Sequence, residues 1–448
     1  MTPFDVQLRA SGMSAAESSA KAALLEKLMR ELHALRGGTV DSHSACFVPG
    51  RLEFLGKHTD YAGGRSLICA IERGICIVAA PRSDAQIRML DVGRASTSNF
   101  ALDAAIEPTA GNWSNFPMTV ARRLARDFPE TRIGADIAFS SDLPRASGMS
   151  SSSALIVAVF FVLARLNHLW QTAAYRRAVA TREDLSAYIA AIESGASFGY
   201  FSGARGVGTH GGSEDHVAIV CSRAGFLRQY SFCPVHFERE IRLPARHVFV
   251  IGVSGVKADK TGDAREAYNR SSGAARKILD LWRGVTRRTD PSLAAALSSR
   301  PDAIDQLRQI LRDSSDAEFP ASLLLNRLAQ FAEESNEIVP SAADALVRAD
   351  FARLGALVAR SQFLAETLLA NQLPETIKLA RSARSLGAVA ASAFGAGFGG
   401  SVWALVDSNR AEEFCNAWAT HYHQRFPELA DASRFFLSCP GPGLVQFE

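Results

Sequence analysis

The amino-acid sequence predicts an α+β protein built from two domains. Between residues 40 and 240, β-branched and alternating segments predict strands, with two or three helices among them; examples are residues 75–80, 133–139 and 217–221. From about residue 265, apolar residues recur at helical spacing in four segments, residues 274–285, 303–313, 323–334 and 351–369. Strands return at residues 402–406 and near residues 433–437. A length of 448 residues suits about three domains or two large ones, and the change in pattern favours residues 1–240 and 241–448.

The composition is that of a globular protein with an ample core, at 47% hydrophobic and 21% charged residues. The 49 basic residues nearly balance the 46 acidic ones, and no dense Lys/Arg tract occurs, so nucleic acid is not an expected partner. The longest apolar run, residues 154–164, is too short for a membrane span. Seven scattered cysteines and a polar N-terminus without a signal-peptide pattern predict a cytoplasmic protein with reduced thiols. A monomer is compatible with the sequence, which does not fix the oligomeric state.

The first informative segment covers residues 49–64, PGRLEFLGKHTDYAGG. A short apolar strand runs into a turn at Gly56, and five side chains that can bind a polyhydroxylated ligand lie close together: Arg51, Lys57, His58, Asp60 and Tyr61. The segment resembles a P-loop only superficially, because the spacing between Gly50 and Gly56 is wrong and His58 replaces the Ser/Thr that would hold magnesium. The remaining alternative is an ordinary hairpin with charged residues at its mouth.

The second segment covers residues 143–155, LPRASGMSSSSAL, and is followed directly by the apolar run. Gly148 lets the backbone approach a ligand closely, and the serines supply hydroxyl and amide donors. A small-residue loop that opens onto a helix start is an anion site, because free amides and the helix dipole face the loop. The other interpretation is a serine-rich N-cap on a buried helix.

The third segment is residues 394–401, FGAGFGGS, with four closely spaced glycines. Such glycines are unfavourable inside regular elements and favour a tight turn against a ligand or another loop. The pattern formally fits G-x-G-x-x-G, but it precedes a strand instead of linking a strand to a helix. A dinucleotide-binding fingerprint is therefore not indicated.

The three segments, in this order and spacing, resemble the three signatures of the GHMP kinases, and the first resembles that of galactokinases in particular. Residues 254–269, SGVKADKTGDAREAYN, add a fourth match to a galactokinase-type segment that ends in Tyr-Asn. Three departures occur: Lys57 replaces a glutamate, Ser147 a glycine and Met149 a leucine. The resemblance implies the two-domain GHMP kinase fold, with the phosphate loop in a mixed α/β N-terminal domain and a helix-rich α+β C-terminal domain. It also implies ATP and Mg²⁺ as cofactors.

The resemblance further implies catalytic and metal-binding roles. Asp215, in the segment GTHGGSEDH, matches the family's base, with Glu214 as the competing candidate. Arg51 matches the arginine that favours the ionised base and stabilises the transferring charge. Ser152 and Glu193 match the magnesium ligands, although Glu193 lies farther from Asp215 than is usual, which indicates an inserted loop, FGYFSGARGVG, near the site.

Binding roles follow from the same resemblance. The sugar is assigned to Lys57, His58, Asp60 and Tyr268, and ATP or its phosphates to Ser147, Gly148, Met149, Ser150, Ser151, Ser152, Gly397 and Gly399. The family's acid at position 57 accepts a hydrogen bond from the C6 hydroxyl, which a lysine cannot do. A cation there suits an anionic group at C6.

The sequence thus predicts an ATP-dependent sugar 1-kinase, a soluble enzyme whose partners are a small sugar and ATP. Galactose or a galactose-like sugar is the expected substrate, and a hexuronate of the galacturonate type is the alternative. A catalytically inactive paralogue that senses sugar is a further class, against which intact Arg51, Ser152 and Asp215 argue. Kinases for mevalonate, homoserine or heptose phosphates fit less well, because the K-H-T-D-Y stretch resembles a sugar-binding segment.

Overall fold

The computed structural model describes residues 2–38, 42–108, 112–256 and 263–447. Within these ranges thirteen strands form two sheets. The strands are β1 Ser44–Leu55, β2 Arg65–Pro81, β3 Gln86–Asp91, β4 Ser96–Ala101, β5 Ala135–Ser141, β6 Phe226–Ser231, β7 His236–Arg242, β8 His247–Val253, β9 Ala390–Phe394, β10 Ser401–Asp407, β11 Arg434–Ser438, β12 Pro440–Gly441 and β13 Val445–Phe447.

Fifteen α-helices accompany the strands in the same described ranges. They are α1 Pro3–Ala10, α2 Ala15–Arg36, α3 Asn115–Asp127, α4 Ser151–Leu166, α5 Ala173–Ala178, α6 Arg182–Ser194, α7 Glu214–Cys221, α8 Asp263–Thr286, α9 Leu293–Ser298, α10 Ala303–Arg312, α11 Ala321–Glu333, α12 Val339–Val347, α13 Phe351–Thr367, α14 Pro374–Ser385 and α15 Ala411–Arg425. A π-helical turn, Glu334–Ile338, joins α11 to α12. None of these helices is both long and apolar enough to cross a bilayer.

The larger sheet contains nine strands in a mixed arrangement. Its main path runs β13-β1-β2-β5-β3-β4, with β12 and β6 also paired to β2 and with β7 on β6. Only the β3–β5 pair among these described strands is parallel. The chain enters the smaller, antiparallel sheet, β11-β8-β10-β9, after β7, and returns to the first sheet with β12 and β13. The α+β fold class is confirmed, and a division into residues 1–240 and 241–448 stays a prediction.

Helix α4 illustrates how the sequence makes its elements. Its sequence contains no glycine or proline, and almost all of its apolar residues are buried. The helix packs against β1 and β2 on one face of the large sheet, and α2 covers the opposite face of β2 and β5. The side chain of Asn167 ends α4 by donating a hydrogen bond to the Leu163 carbonyl at 3.0 Å. The second segment of the sequence therefore does lead into a buried helix.

One strand prediction was wrong. Residues 217–221 form the end of helix α7 and not a strand. The run is buried on all sides, between β1, β2 and the helices α4 and α6. A short, wholly buried apolar run has no amphipathic period, so its pattern does not distinguish helix from strand.

The two sheets share one hydrophobic core. Phe54, near the end of β1, stacks on Trp403 of β10, with 4.3 Å between ring centroids and 17° between ring planes. Phe249 of β8 contacts both rings. Because Phe54 lies two residues before the turn at Gly56, this aromatic contact fixes the end of β1 against the second sheet.

Replacing Phe54 by alanine should destabilise the protein by about 3–5 kcal/mol, the usual cost of truncating a buried aromatic side chain. Urea unfolding followed by tryptophan fluorescence measures the change. Phe363→Ala, at a position that is 50% exposed, is the matched control and should stay within about 0.5 kcal/mol of the unmodified protein. Equal effects of the two substitutions would show that Phe54 does not join the sheets.

Candidate active site

A pocket of about 840 Å³ lies where the three sequence segments meet. This volume is within the usual range for a small-molecule site. Most of the predicted site residues line it: Arg51, His58, Asp60, Ser147, Gly148, Ser150, Ser151, Ser152, Glu193, Asp215 and Tyr268. The fold thus brings together positions that are up to about two hundred residues apart in the sequence. Lys57, Met149, Gly397 and Gly399 do not line it.

Arg51 and Asp215 form an ion pair in the pocket wall. Arg51 is carried by β1 and Asp215 by the first turn of α7, and the Arg51 Nε donates to Asp215 Oδ1 at 2.7 Å. A terminal nitrogen of Arg51 also donates to the carbonyl of Gly148. Burial lowers the pKa of Arg51, but the carboxylates of Asp215 and Glu214 outweigh this effect and raise it. A permanent cation therefore ties the candidate base to the second segment.

Glu214, the competing base, has a different environment. Its Oε2 accepts a hydrogen bond from Ser66 Oγ at 2.5 Å, and its side chain is 6% exposed against 19% for Asp215. Its distance to Arg51 Nε is 4.0 Å. Burial, with the charges of Glu53 and Asp60, raises the pKa of Glu214 well above its usual range. The geometry favours Asp215 as the base.

Most of the second segment, residues 143–153, is called the phosphate loop below and has an irregular backbone before α4. Gly148 has a φ of +76°, and Ser150, directly before α4, has a φ of +57°. Ser150 to Ser153 line the pocket at the N-terminus of a 16-residue helix. The free amides of a first helical turn bind anions, so this end of the pocket suits phosphate. Met149, which was also assigned to the phosphates, does not line the pocket, because its side chain is buried in the core.

The third segment supports the phosphate loop from behind. A Cβ on Gly395 would lie 2.8 Å from the Gly148 carbonyl, and one on Gly397 would lie 2.3 Å from the Asn371 carbonyl. Gly395 and Ala396 line the pocket. Gly397 and Gly399 have positive φ values that allow the tight turn, and neither lines the pocket. Their contact with the phosphates stays a prediction.

Three predicted residues occupy the other end of the pocket. His58 Nε2 donates to the Ala396 carbonyl at 3.0 Å, and its Nδ1 lies 2.9 Å from the Tyr61 hydroxyl. Asp60 Oδ2 accepts from the Glu214 amide at 3.2 Å. Burial raises the pKa of Asp60. Tyr268 of α8 completes this end, with its ring 5.3 Å from that of His58.

Two glycines explain why Asp60 and Tyr268 can come so close to the segment that precedes Asp215. A Cβ on Gly211 would lie 2.8 Å from the Tyr268 hydroxyl oxygen, and one on Gly212 would lie 2.3 Å from Asp60 Oδ2. Any side chain at either position would push these groups out of the pocket. Of the fourth sequence match, residues 254–269, residues 257–262 lie outside the described residues.

Lys57 does not reach the pocket, contrary to the sequence-based expectation. Its side chain is 1% exposed. Its ammonium donates to Ser361 Oγ at 3.0 Å and to Ser392 Oγ at 2.8 Å, both in the C-terminal half. The Lys57 ammonium therefore faces neither the pocket nor the solvent.

Ser152 and Glu193 both line the pocket with oxygen atoms, the donors that Mg²⁺ prefers. Glu193 lies at the end of α6, and its Oε2 is 3.0 Å from His216 Nε2. Among the described residues no group of three or more His, Cys, Asp or Glu side chains has the arrangement of a metal cage.

The inserted loop before Asp215 lies against α3. Arginines of that helix donate to its carbonyls, Arg126 to Gly203 at 3.0 Å and Arg122 to Arg205. Beyond these contacts Val207 and Thr209 line the pocket. The insertion is thus a wall of the site.

Sequence reasoning missed an aromatic end of the pocket. Trp113 and Phe116 line it beside Phe139, whose ring centroid is 5.6 Å from that of Trp113. Flat apolar walls of this kind suit a nucleobase. The signal available in the sequence was the aromatic pair in the polar stretch NWSNF.

The fold and site are those of a two-domain small-molecule kinase, and comparison with known proteins agrees. The galactokinase of Chloroflexus aggregans is 29% identical over 387 residues, which is 84% of this chain and 86% of that protein. The galactokinase of Actinobacillus pleuropneumoniae is 36% identical over 113 residues, 25% of this chain and 29% of that protein. The crystal structure of Lactococcus lactis galactokinase complexed with galactose has a TM-score of 0.75, with 23% identity, over 95% of this chain and 99% of that chain.

Three family descriptions match separate parts of the chain. The galactokinase galactose-binding signature matches residues 37–81, the GHMP kinases N terminal domain residues 115–204, and the GHMP kinases C terminal region residues 342–424. The chain belongs to the GHMP kinase superfamily, in its galactokinase-like branch of sugar kinases.

Asp215→Asn should lower kcat roughly 100- to 10,000-fold, the usual contribution of a positioned base. Affinity for ATP should stay nearly unchanged, because no adenine-end residue is altered. Steady-state kinetics and nucleotide titration measure the two effects. Asp431→Asn, at an exposed position, is the control. Turnover of Asp215→Asn within threefold of the unmodified enzyme would exclude Asp215 as the base.

Ser152→Ala combined with Glu193→Ala should raise the Mg²⁺ concentration for half-maximal activity by roughly tenfold or more, since even outer-shell changes cost about that much metal affinity. Each single variant should give part of the shift, and Ser202→Ala, at an exposed serine, should give none. An unchanged midpoint for Glu193→Ala would mean that the contact with His216 keeps Glu193 away from the metal.

Proposed function

We propose that this protein is an ATP-dependent sugar 1-kinase that phosphorylates the anomeric hydroxyl of galactose or a galactose-like hexose. The observation that carries the proposal is the Arg51–Asp215 pair, which lies between the phosphate loop and Asp60. The relatives are galactokinases, and the similar Lactococcus lactis enzyme was crystallised with galactose, which supports this choice of sugar.

The sugar would occupy the end of the pocket lined by His58, Asp60 and Tyr268. A carboxylate with two oxygens can accept hydrogen bonds from neighbouring ring hydroxyls. ATP would place its phosphates at the N-terminus of α4 and its base near Trp113. Phosphoryl transfer depends mainly on such positioning and on stabilising charge.

In the reaction the anomeric oxygen attacks the γ-phosphorus, the new O–P bond forms, and the bond from the γ-phosphorus to the β,γ-bridging oxygen breaks. ADP leaves with that electron pair, and the hydroxyl proton goes to the Asp215 carboxylate. Arg51 holds Asp215 in place and adds positive charge close to the phosphate loop. When bound, Mg²⁺ supplies further charge neutralisation on the phosphates, and Ser152 and Glu193 would hold it.

The alternative of a hexuronate substrate depended on a cation from Lys57 at C6. The contacts of Lys57 with Ser361 and Ser392 give that argument no support. A uronate carboxylate would instead enter a pocket that already contains Asp60, Asp215 and Glu193, and like charges brought together are costly. A non-catalytic sensor would not need the Arg51–Asp215 contact.

The test is an ADP-release assay with galactose, glucose, galacturonate, glucuronate and galactosamine, with the product identified by ³¹P NMR. We expect kcat/KM for galactose to exceed that for galacturonate at least about tenfold, which corresponds to about 1.4 kcal/mol. Methyl α-galactoside, whose anomeric oxygen is blocked, is the matched control and should not react. A uronate preference, or a phosphate on any other hydroxyl, would contradict the proposal.

A further inference from the structure

The burial of Lys57 raises the question of what its charge does. The ammonium contacts Ser361 on α13 and Ser392 on β9, which are 304 and 335 residues away in the sequence. Each serine hydroxyl in turn donates a hydrogen bond to a second side chain. Ser361 Oγ donates to Glu334 Oε1 at 2.9 Å, and Ser392 Oγ donates to Gln362 Oε1 at 3.1 Å. Lys57 is therefore linked through one hydroxyl to a carboxylate that is itself fully buried.

Glu334 binds the backbone beside Lys57 as well. Its Oε1 accepts the amide of Gly56 at 2.9 Å and lies 3.4 Å from the amide of Lys57. Glu334 begins the π-helical turn between α11 and α12, a rare local geometry that is frequent at functional sites. One buried acid from the C-terminal half thus accepts the backbone amides of this short segment directly and is linked to the Lys57 ammonium through the Ser361 hydroxyl.

The rest of this segment, called the substrate loop below (residues 56–61), is held from the same side. Gln330 Nε2 donates to the Lys57 carbonyl at 3.1 Å. Arg327 donates to the His58 carbonyl and, at 3.2 Å, to the Tyr61 hydroxyl. Both side chains come from α11 and are buried. The substrate loop is covalently part of the N-terminal half, but its hydrogen-bond partners come largely from the C-terminal half.

The backbone of the loop needs such support. His58 has a φ of +58°, in the left-handed region that residues other than glycine adopt at a cost. Such a conformation persists only where surrounding contacts impose it. Gly56, with a φ of +112°, follows the last residue of β1 and lies two residues before His58. If the contacts of Lys57 and Glu334 were lost, His58 would be free to leave the left-handed region and withdraw from the pocket.

We propose that Lys57 is a positioning residue. As the buried counterion of Glu334 it fixes the substrate loop to the C-terminal half and thereby places His58 and Asp60 for the sugar, without touching the sugar itself. The effect on sugar affinity rests on the proposed function, whereas the fixing of the loop does not. Lys57 also faces the buried carboxyl of Glu53. Removing the cation therefore leaves buried acidic groups with less compensation in the interior, and removing Glu334 as well relieves part of that cost.

Three variants test this proposal. Lys57→Met removes the cation, Lys57→Met with Glu334→Gln removes both charges, and Ser361→Ala breaks the bridge between them while both charges stay. Lys27→Met, the same substitution at an exposed position of α2, is the control. Hydrogen exchange of the peptide covering residues 56–64 reports on the loop without any substrate, and steady-state kinetics report on the site.

We expect Lys57→Met to speed exchange of this peptide by roughly tenfold or more and to raise KM for the sugar by a similar factor. KM for ATP and kcat should stay within threefold, because Arg51, Asp215 and the phosphate loop are held by β1 and α7. The double variant should bring both the exchange rate and the sugar KM much of the way back to those of the unmodified protein. Ser361→Ala should speed exchange and raise the sugar KM, but less than Lys57→Met does. If Lys57→Met does not fold, the double variant and Ser361→Ala still decide the matter.

Three outcomes would overturn the proposal. Unchanged exchange in Lys57→Met and Ser361→Ala would show that the loop does not depend on this contact. A lower melting temperature with an unchanged sugar KM would show a purely structural role. A reversed preference between galactose and galacturonate would show that Lys57 touches the sugar. An unmodified enzyme that phosphorylates no sugar contradicts the proposed function instead, and the exchange measurement still tests the fixing of the loop.

Discussion

The geometry of the active site depends on the buried guanidinium of Arg51. It extends from β1, inside the larger sheet, and binds the Asp215 carboxylate on one side and the Gly148 carbonyl on the other. A buried charge that loses its partner costs several kcal/mol, so strand, base and phosphate loop are held together as one unit. A flexible attachment of any of the three would separate Asp215, the proposed base, from the phosphate loop.

The two ends of the pocket are supported by different parts of the chain. The phosphate end is held by the N-terminal sheet through Arg51 and by the glycine turn that packs on Gly148. The sugar end is held by side chains of α11, α13 and the π-helical turn. The site therefore exists only where the two halves pack together, and the stack of Phe54 on Trp403 lies at that junction.

Local patterns predicted part of the fold. The four segments predicted as helices between residues 274 and 369, and the run after Ser150, have an apolar period or a length that only a helix satisfies. Helices α9, α12, α14 and α15 were not predicted. The pattern of residues 217–221 did not reveal their helix, because five apolar residues that are buried on every side show no amphipathic period. The return of β12 and β13 to the first sheet could not be foreseen either, since pairing of strands that short is decided by their neighbours and not by their own residues.

The sequence by itself determined which short segments form the site, because glycines at turns, serines before a helix and the K-H-T-D-Y stretch are local in the chain. Arg51 and Asp60 followed from the first of these segments and Asp215 from the resemblance to the GHMP kinases, and all three line one pocket. Only the tertiary structure decided which way individual side chains point. Lys57 turns from the pocket because its partners Ser361 and Ser392 lie more than three hundred residues away, and Met149 turns into the core. Such orientations are set by groups that meet only after folding, so no local pattern records them.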